Sequence, residues 1–308
     1  METIYQDFAP KGIDFYYVYK PLAHPELNNY VRPVSLDERL MHVAEADRRL
    51  GTGITWLADT MANEFHKALV QFPNAELILD PEGRVVVRRP WSRPAQLRED
   101  LAAIVGPVEN PTTIADLDLP DQPPLPTAQK GVVPRVPLPE DARPMLVDVT
   151  SQTSTPYYVK LRAEGPPDLW ESGEGQMYLG FHLDPLYRVH WNNEVDPVEW
   201  RIMAPEGVEV SPSSGVGAHP DVPADADPRE FIVDVKGPPG SVLDVQVQYF
   251  ACDDALTFCI PVRQNYQVTL LRDESHSWTI RTDADGEWRG NGRRGAGAGG
   301  AGQGRRAQ

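Results

Sequence analysis

Prolines crowd the middle of this 308-residue chain, between residues 107 and 144, and divide it into two stretches of different pattern. Proline has no amide hydrogen and a fixed φ, so PLPTAQK and PRVPLPEDARP suit neither a helix interior nor a central strand. The segment favours polyproline II and reads as a semi-rigid linker without chemistry of its own. Folding must then occur on either side of it, in residues 1–106 and from Met145 onward.

The first stretch alternates strand-like and helix-like runs. Ile13–Tyr19 (IDFYYVY) has the look of a buried strand. Ser35-Leu-Asp-Glu38 is a capping-box pattern, opening a helix whose apolar positions are Leu36, Leu40, Val43 and Leu50. A short apolar run, Ile54–Ala58, and a second helical run, Met61–Phe72, follow. Glu76–Leu79 and Arg84–Arg88 flank Asp80-Pro-Glu-Gly83, a hairpin with glycine where positive φ is wanted. Ala95–Val105 is a last amphipathic helix, stopped at Gly106-Pro107. Alternation of this kind indicates an α/β layer.

From residue 145 to about 280 the period changes. Tyr157–Leu161, Met177–His182, Val189–Trp191, Val198–Ile202, Phe231–Val235, Val242–Phe250 and Val262–Leu271 are short strand-like runs between Pro and Gly clusters. That pattern predicts an antiparallel β-sandwich, with Trp170, Trp191 and Trp200 filling its core. Beyond residue 282 the Gly- and Arg-rich tail cannot bury a core and is expected to be disordered.

Charge and motif content narrow the function classes. A formal net charge of -16 argues against a nucleic-acid-binding body. No apolar run approaches the roughly 18–20 residues that span a bilayer, so direct membrane insertion is not expected. METIYQDFAP lacks the basic start and apolar core of a secretory signal. No P-loop, dinucleotide-binding glycine motif or nucleophile elbow occurs, and no cofactor is implied. Asp184, His190 and Glu194 form at best a weak metal or acid/base set, and His66 reads as solvent-facing.

Chemistry concentrates on the two cysteines. Val245, Val247 and Tyr249 share one face of the strand before Cys252, and Tyr266, Val268 and Leu270 one face of the strand after Cys259. The two strands read as a hairpin, and only six residues separate the cysteines, a span that permits a disulfide. Closing so short a loop would contribute about 2.5 kcal/mol by chain entropy, so a structural staple is one reading. Zinc is disfavoured, because C-x₆-C has no second ligand pair. Asp253 and Asp254 beside Cys252 disfavour a thiolate, whereas the disulfide could still be attacked by a partner thiolate.

Val245–Leu270 (VQVQYFACDDALTFCIPVRQNYQVTL) resembles the cysteine hairpin of the N-terminal domain of the thiol:disulfide interchange protein DsbD. The resemblance extends more weakly over residues 145–271, through His190-Trp-Asn-Asn193 and Val198–Pro205 (VEWRIMAP). It implies an immunoglobulin-like sandwich in which Cys252 and Cys259 are the redox pair, exchanging with a thioredoxin-like partner in a periplasmic or extracytoplasmic compartment. The spacing departs by about one residue from that family's. A chain without any leader would instead stay in the cytoplasm.

Residues 4–106 resemble thioredoxin-like proteins of the deiodinase and redoxin type. Ile4–Tyr19, Ala23-His24-Pro25 and Leu57–Val87 carry that likeness, which implies a place for His24 near a redox centre. The family's first strand and its cysteine or selenocysteine have no counterpart here, so the resemblance implies an incomplete domain, either truncated or catalytically silent. Together these readings give an α+β two-domain protein: a truncated thioredoxin-like domain over 1–106, a linker over 107–144, a sandwich over 145–282 and a tail over 283–308. Its expected activity is thiol–disulfide exchange through Cys252 and Cys259. The rival is a non-enzymatic interaction module braced by the same disulfide.

Overall fold

The computed structural model describes residues 1–22, 30–69, 72, 74–119, 128–150, 155–274, 280–282 and 288–290. Its first part contains helices α1 (Glu2–Phe8), α2 (Leu36–Leu50), α3 (Glu64–Leu69) and α4 (Pro94–Val105). Strands β1 (Tyr16–Tyr19) and β2 (Thr55–Ala58) pair in parallel, while β3 (Glu76–Leu79) and β4 (Val85–Arg89) form a hairpin. Gly83 turns that hairpin at φ +81°, as its sequence demands. The two pairs are separate sheets among the described residues, so no continuous thioredoxin-like sheet is formed by them. Ile4 and Phe8 of α1 pack on Leu97 and Leu101 of α4 in a small core.

Helix α2 inverts the expected amphipathicity. Ser35 caps it as predicted, its Oγ accepting from the Glu38 amide at 3.2 Å, and Gly51 ends it in the left-handed region. Yet Leu36, Leu40 and Leu50 are exposed, and the buried side chains are Glu38, Arg39, His42 and Glu45. Burying polar groups requires partners, and each of these has one. Arg39 donates to the carbonyl of Asp59 at 2.9 Å and to Asn63 Oδ1 at 3.0 Å. His42 Nδ1 lies 2.7 Å from the Tyr19 hydroxyl, and burial pushes its pKa down to about 4. Glu45 accepts from the Tyr30 hydroxyl at 2.7 Å.

The second part is one nearly closed antiparallel sheet. Its strands are β5 (Arg143–Val149), β6 (Val159–Gly165), β7 (Glu174–Leu183), β8 (Val189–Asn192), β9 (Glu199–Met203), β10 (Glu209–Ser211), β11 (Ser214–Val216), β12 (Ala224–Asp225), β13 (Arg229–Lys236), β14 (Val242–Asp253) and β15 (Cys259–Arg272). They run in the order β10-β13-β7-β6-β5-β15-β14-β8-β12, with β9 also on β14 and β11 on β9. All seven predicted strands are present. The strand that the sequence did not betray, β5, joins the two halves: Arg143 and Pro144 pair with β6, then Met145–Val149 pair with β15.

The core lies between those halves. Met177, Leu179, Phe181, Val233 and Val235 come from one side, and Val245, Val247, Tyr249, Tyr266 and Val268 from the other. Phe231 of β13 meets Trp200 of β9 across the gap, ring centroids 5.0 Å apart. Trp191 and Trp200 are buried and Trp170 is partly buried, as expected. A further two-stranded pair joins β16 (Ile280–Thr282), at the end of the predicted sandwich, to β17 (Trp288–Gly290), within the tail where disorder was predicted. The rest of the tail lies outside the described residues.

The proline-rich segment is tied to the sheet where it is described. Asp227 accepts from three successive amides, Gly131, Val132 and Val133, at 2.7–2.8 Å. Arg135 grips Glu230 through two nitrogens, at 2.9 and 2.7 Å. Asp227 and Glu230 thus hold the chain against the start of β13 with charge-assisted bonds.

Helix α2 is also fastened to the sheet. The Lys160 ammonium of β6 lies 2.6 Å from Glu38 Oε1 and 3.5 Å from Asp184 Oδ2, all three side chains being 5% exposed or less. Glu38 Oε1 also accepts from the Tyr187 hydroxyl at 2.9 Å, while its Oε2 accepts from the Val34 amide at 2.7 Å. Arg32 pairs with Asp273 nearby at 2.8 Å. Burial raises the Asp184 pKa, which Lys160 opposes. Removing the one cation from such a cluster leaves two carboxylates buried without compensation. Lys160→Met should therefore lower the unfolding free energy by about 3–5 kcal/mol in urea titration; a loss under about 1 kcal/mol would contradict this account of the cluster.

Candidate functional site

The hairpin of β14 and β15 runs in unbroken antiparallel register from Val242↔Thr269 to Cys252↔Cys259. Alternation along each strand sends Val245, Val247 and Tyr249 of β14, and Tyr266 and Val268 of β15, into the core. At the end of the ladder the same register sets the two cysteines directly across from one another, their Cα atoms 4.0 Å apart, and they are joined as a disulfide. The expected pairing is therefore present in the structure. Cys252 is only 3% exposed, whereas Cys259 is exposed.

Asp253 shapes the turn between them. Its Oδ1 accepts from the Thr257 and Phe258 amides at 2.7 and 2.8 Å, and its Oδ2 from the Thr257 hydroxyl at 2.7 Å. The Phe258 amide above all, with the Thr257 donors, holds the Asp253 carboxyl below the ordinary carboxylate range. Leu256 sits at the tip in the left-handed region (φ 58°) and is 85% exposed. Phe258 is partly buried against Tyr158, which stacks edge-on against Tyr187 at 5.2 Å.

A third strand reaches the cysteines from the other side. The register of β8 on β14 aligns His190 with Cys252 and Val189 with Asp253. His190 Nδ1 lies 3.0 Å from Asp254 Oδ1, and the Asp254 amide donates to the Arg188 carbonyl at 2.8 Å. Asn192 Nδ2 stands 3.7 Å from Cys259 Sγ. Both aspartates after Cys252 are thus engaged, one by backbone amides and one by an imidazole.

The weak acid/base set does not assemble. Asp184 belongs to the Lys160 cluster, His190 to the cysteine loop, and exposed Glu194 donates its amide to Asn192 Oδ1. Among the described residues no group of three or more His, Cys, Asp or Glu could hold a metal ion. No helix among them is long and apolar enough to cross a membrane. His24 lies outside the described residues, so its predicted place near a redox centre has no structural counterpart to weigh. No family model, curated protein or solved structure matches this chain. The site is defined by its own geometry: a disulfide at the turn end of a core hairpin, one sulfur-bearing residue covered and one exposed.

His190 and Asn192 escaped the sequence reading as neighbours of the cysteines. Their strand was recognised, but nothing in the order of residues says that it docks on the end of β14. The Asp253 turn generates a direct expectation. Asp253→Ala should open the loop and speed reduction of the disulfide by a phosphine several-fold at pH 7. In the native chain the protection should be present above the ordinary carboxylate range and fade as pH falls through the lowered Asp253 value, because the neutral acid accepts the amides less well. Equal rates for the two chains at pH 7 would contradict this.

Proposed function

We propose that this protein carries out thiol–disulfide exchange through Cys252 and Cys259 with a thioredoxin-like partner. The observation that carries this reading is the asymmetry of the pair, with Cys259 exposed beside the apolar Leu256 and Cys252 buried. A partner thiolate attacks Cys259 Sγ, forms a mixed disulfide and expels the Cys252 sulfur with its electron pair. The partner's second thiol then attacks the mixed disulfide and releases the Cys259 thiolate. Two electrons and two protons have passed to this chain, and the partner leaves oxidised.

Two further points support it. The Asp253 bonds and the ladder hold the turn in the native state without the disulfide, so opening the bond leaves the loop with partners. The hairpin also has the sequence character of the DsbD N-terminal domain. In this reading the nearly closed sheet is that domain's immunoglobulin-like sandwich, working outside the cytoplasm, and the first part is a thioredoxin-like remnant without its own nucleophile.

Equilibration against glutathione or thioredoxin measures the reduction potential. The proposal expects a value above about -300 mV and full exchange with a reduced thioredoxin within minutes. A potential below that value, with no exchange, would assign the disulfide to a brace in an interaction module.

A further inference from the structure

We infer that His190, oriented by Asp254, is the proton partner of Cys252 when the disulfide opens. The observation is a row of three residues across one face of the sheet. Cys252 has Cys259 opposite it on β15 and His190 opposite it on β8. Side chains of directly opposed residues leave the sheet on the same face, with Cβ atoms about 4.5–5.5 Å apart. The imidazole therefore flanks the sulfur that leaves when a partner attacks Cys259. Both residues are covered, Cys252 at 3% and His190 at 7% exposure, so solvent is a poor substitute as proton source.

Asp254 fixes the tautomer. A carboxylate only accepts, so the 3.0 Å contact to its Oδ1 requires the hydrogen on Nδ1 and leaves Nε2 to take up or release a proton. Asp254 is itself held in the loop by the hydrogen bond its backbone amide donates to the Arg188 carbonyl. The arrangement supplies what the loop sequence lacks, since no Lys or His lies between the two cysteines. On reduction, imidazolium at His190 gives its proton to the departing Cys252 sulfur, and the imidazole regains one from solvent. On reoxidation, neutral His190 takes the Cys252 proton, and the thiolate so formed attacks the mixed disulfide at Cys259 and expels the partner.

Other charged groups around the pair do not duplicate this role. The Asp253 carboxylate is committed to the Thr257 and Phe258 donors. On β12 Asp225 is engaged by Arg229 at 2.8 Å. Beyond Tyr187, Glu38 and Asp184 are both ion-paired with Lys160. Arg188, two residues before His190 in the chain, is the remaining cation of that segment.

The use of this proton relay rests on the exchange reading, but its test does not. In the fully reduced chain, the Cys252 ¹³Cβ shift is followed against pH by NMR in native, His190→Gln and Asp254→Asn forms, with native-like amide spectra as the fold control. The inference expects the native Cys252 to titrate below an ordinary thiol. It expects His190→Gln to raise that midpoint by about one unit, a tenfold smaller thiolate fraction near neutrality, and Asp254→Asn to move it part of the way. A Cys252 titration identical in all three forms would overturn it, and Asp254→Asn alone decides if His190→Gln does not fold. A shifted titration in a chain that exchanges with no thioredoxin would leave the His190 linkage standing and remove the exchange reading.

Discussion

Everything distinctive about this molecule hangs on the β14–β15 ladder. Eleven consecutive residue pairs bury Val245, Val247, Tyr249, Tyr266 and Val268 on one face. A slip of one residue would turn that set outward, so core burial fixes the register strongly. The fixed register in turn sets Cys252 against Cys259 at the far end. The disulfide is therefore positioned by hydrophobic burial along the hairpin, with the Asp253 turn closing the loop.

A second theme is the use of buried polar groups to fix one part of the chain on another. Glu38 stands at the centre: it completes the cap of α2, and it binds Lys160 and Tyr187 of the sheet. Asp227 and Glu230 do the same for the proline-rich segment. Such contacts cost desolvation and reward only correct geometry, so they specify a docking mode more than they add net stability. The Glu38 cluster borders the cysteine end, because Tyr187 stacks on Tyr158 and Tyr158 on Phe258, which precedes Cys259.

The strands of the second part were legible because their period-2 alternation is strong, as in Val245-x-Val247-x-Tyr249. Ser35, Gly83 and Gly106 marked their turns and caps through local backbone chemistry that needs no tertiary context. What failed was long-range. The exposed leucines of α2 looked like a core stripe, because a sequence cannot show that Arg39, His42 and Glu45 find partners on other elements. Strand β5, interrupted by Pro144, gave no alternating signal. At the site, both cysteines were readable from spacing and flanking strands, whereas His190 became a neighbour only through the docking of β8 on β14.

The central claim is that Cys259 is the point of attack and Cys252 the leaving sulfur. Incubating the oxidised chain with a thioredoxin whose resolving cysteine is replaced, then mapping the trapped adduct by peptide mass spectrometry, reads this directly. The account predicts a mixed disulfide at Cys259, formed under native conditions and absent from Cys252. An adduct only at Cys252, or one that forms only in denaturant, would contradict it.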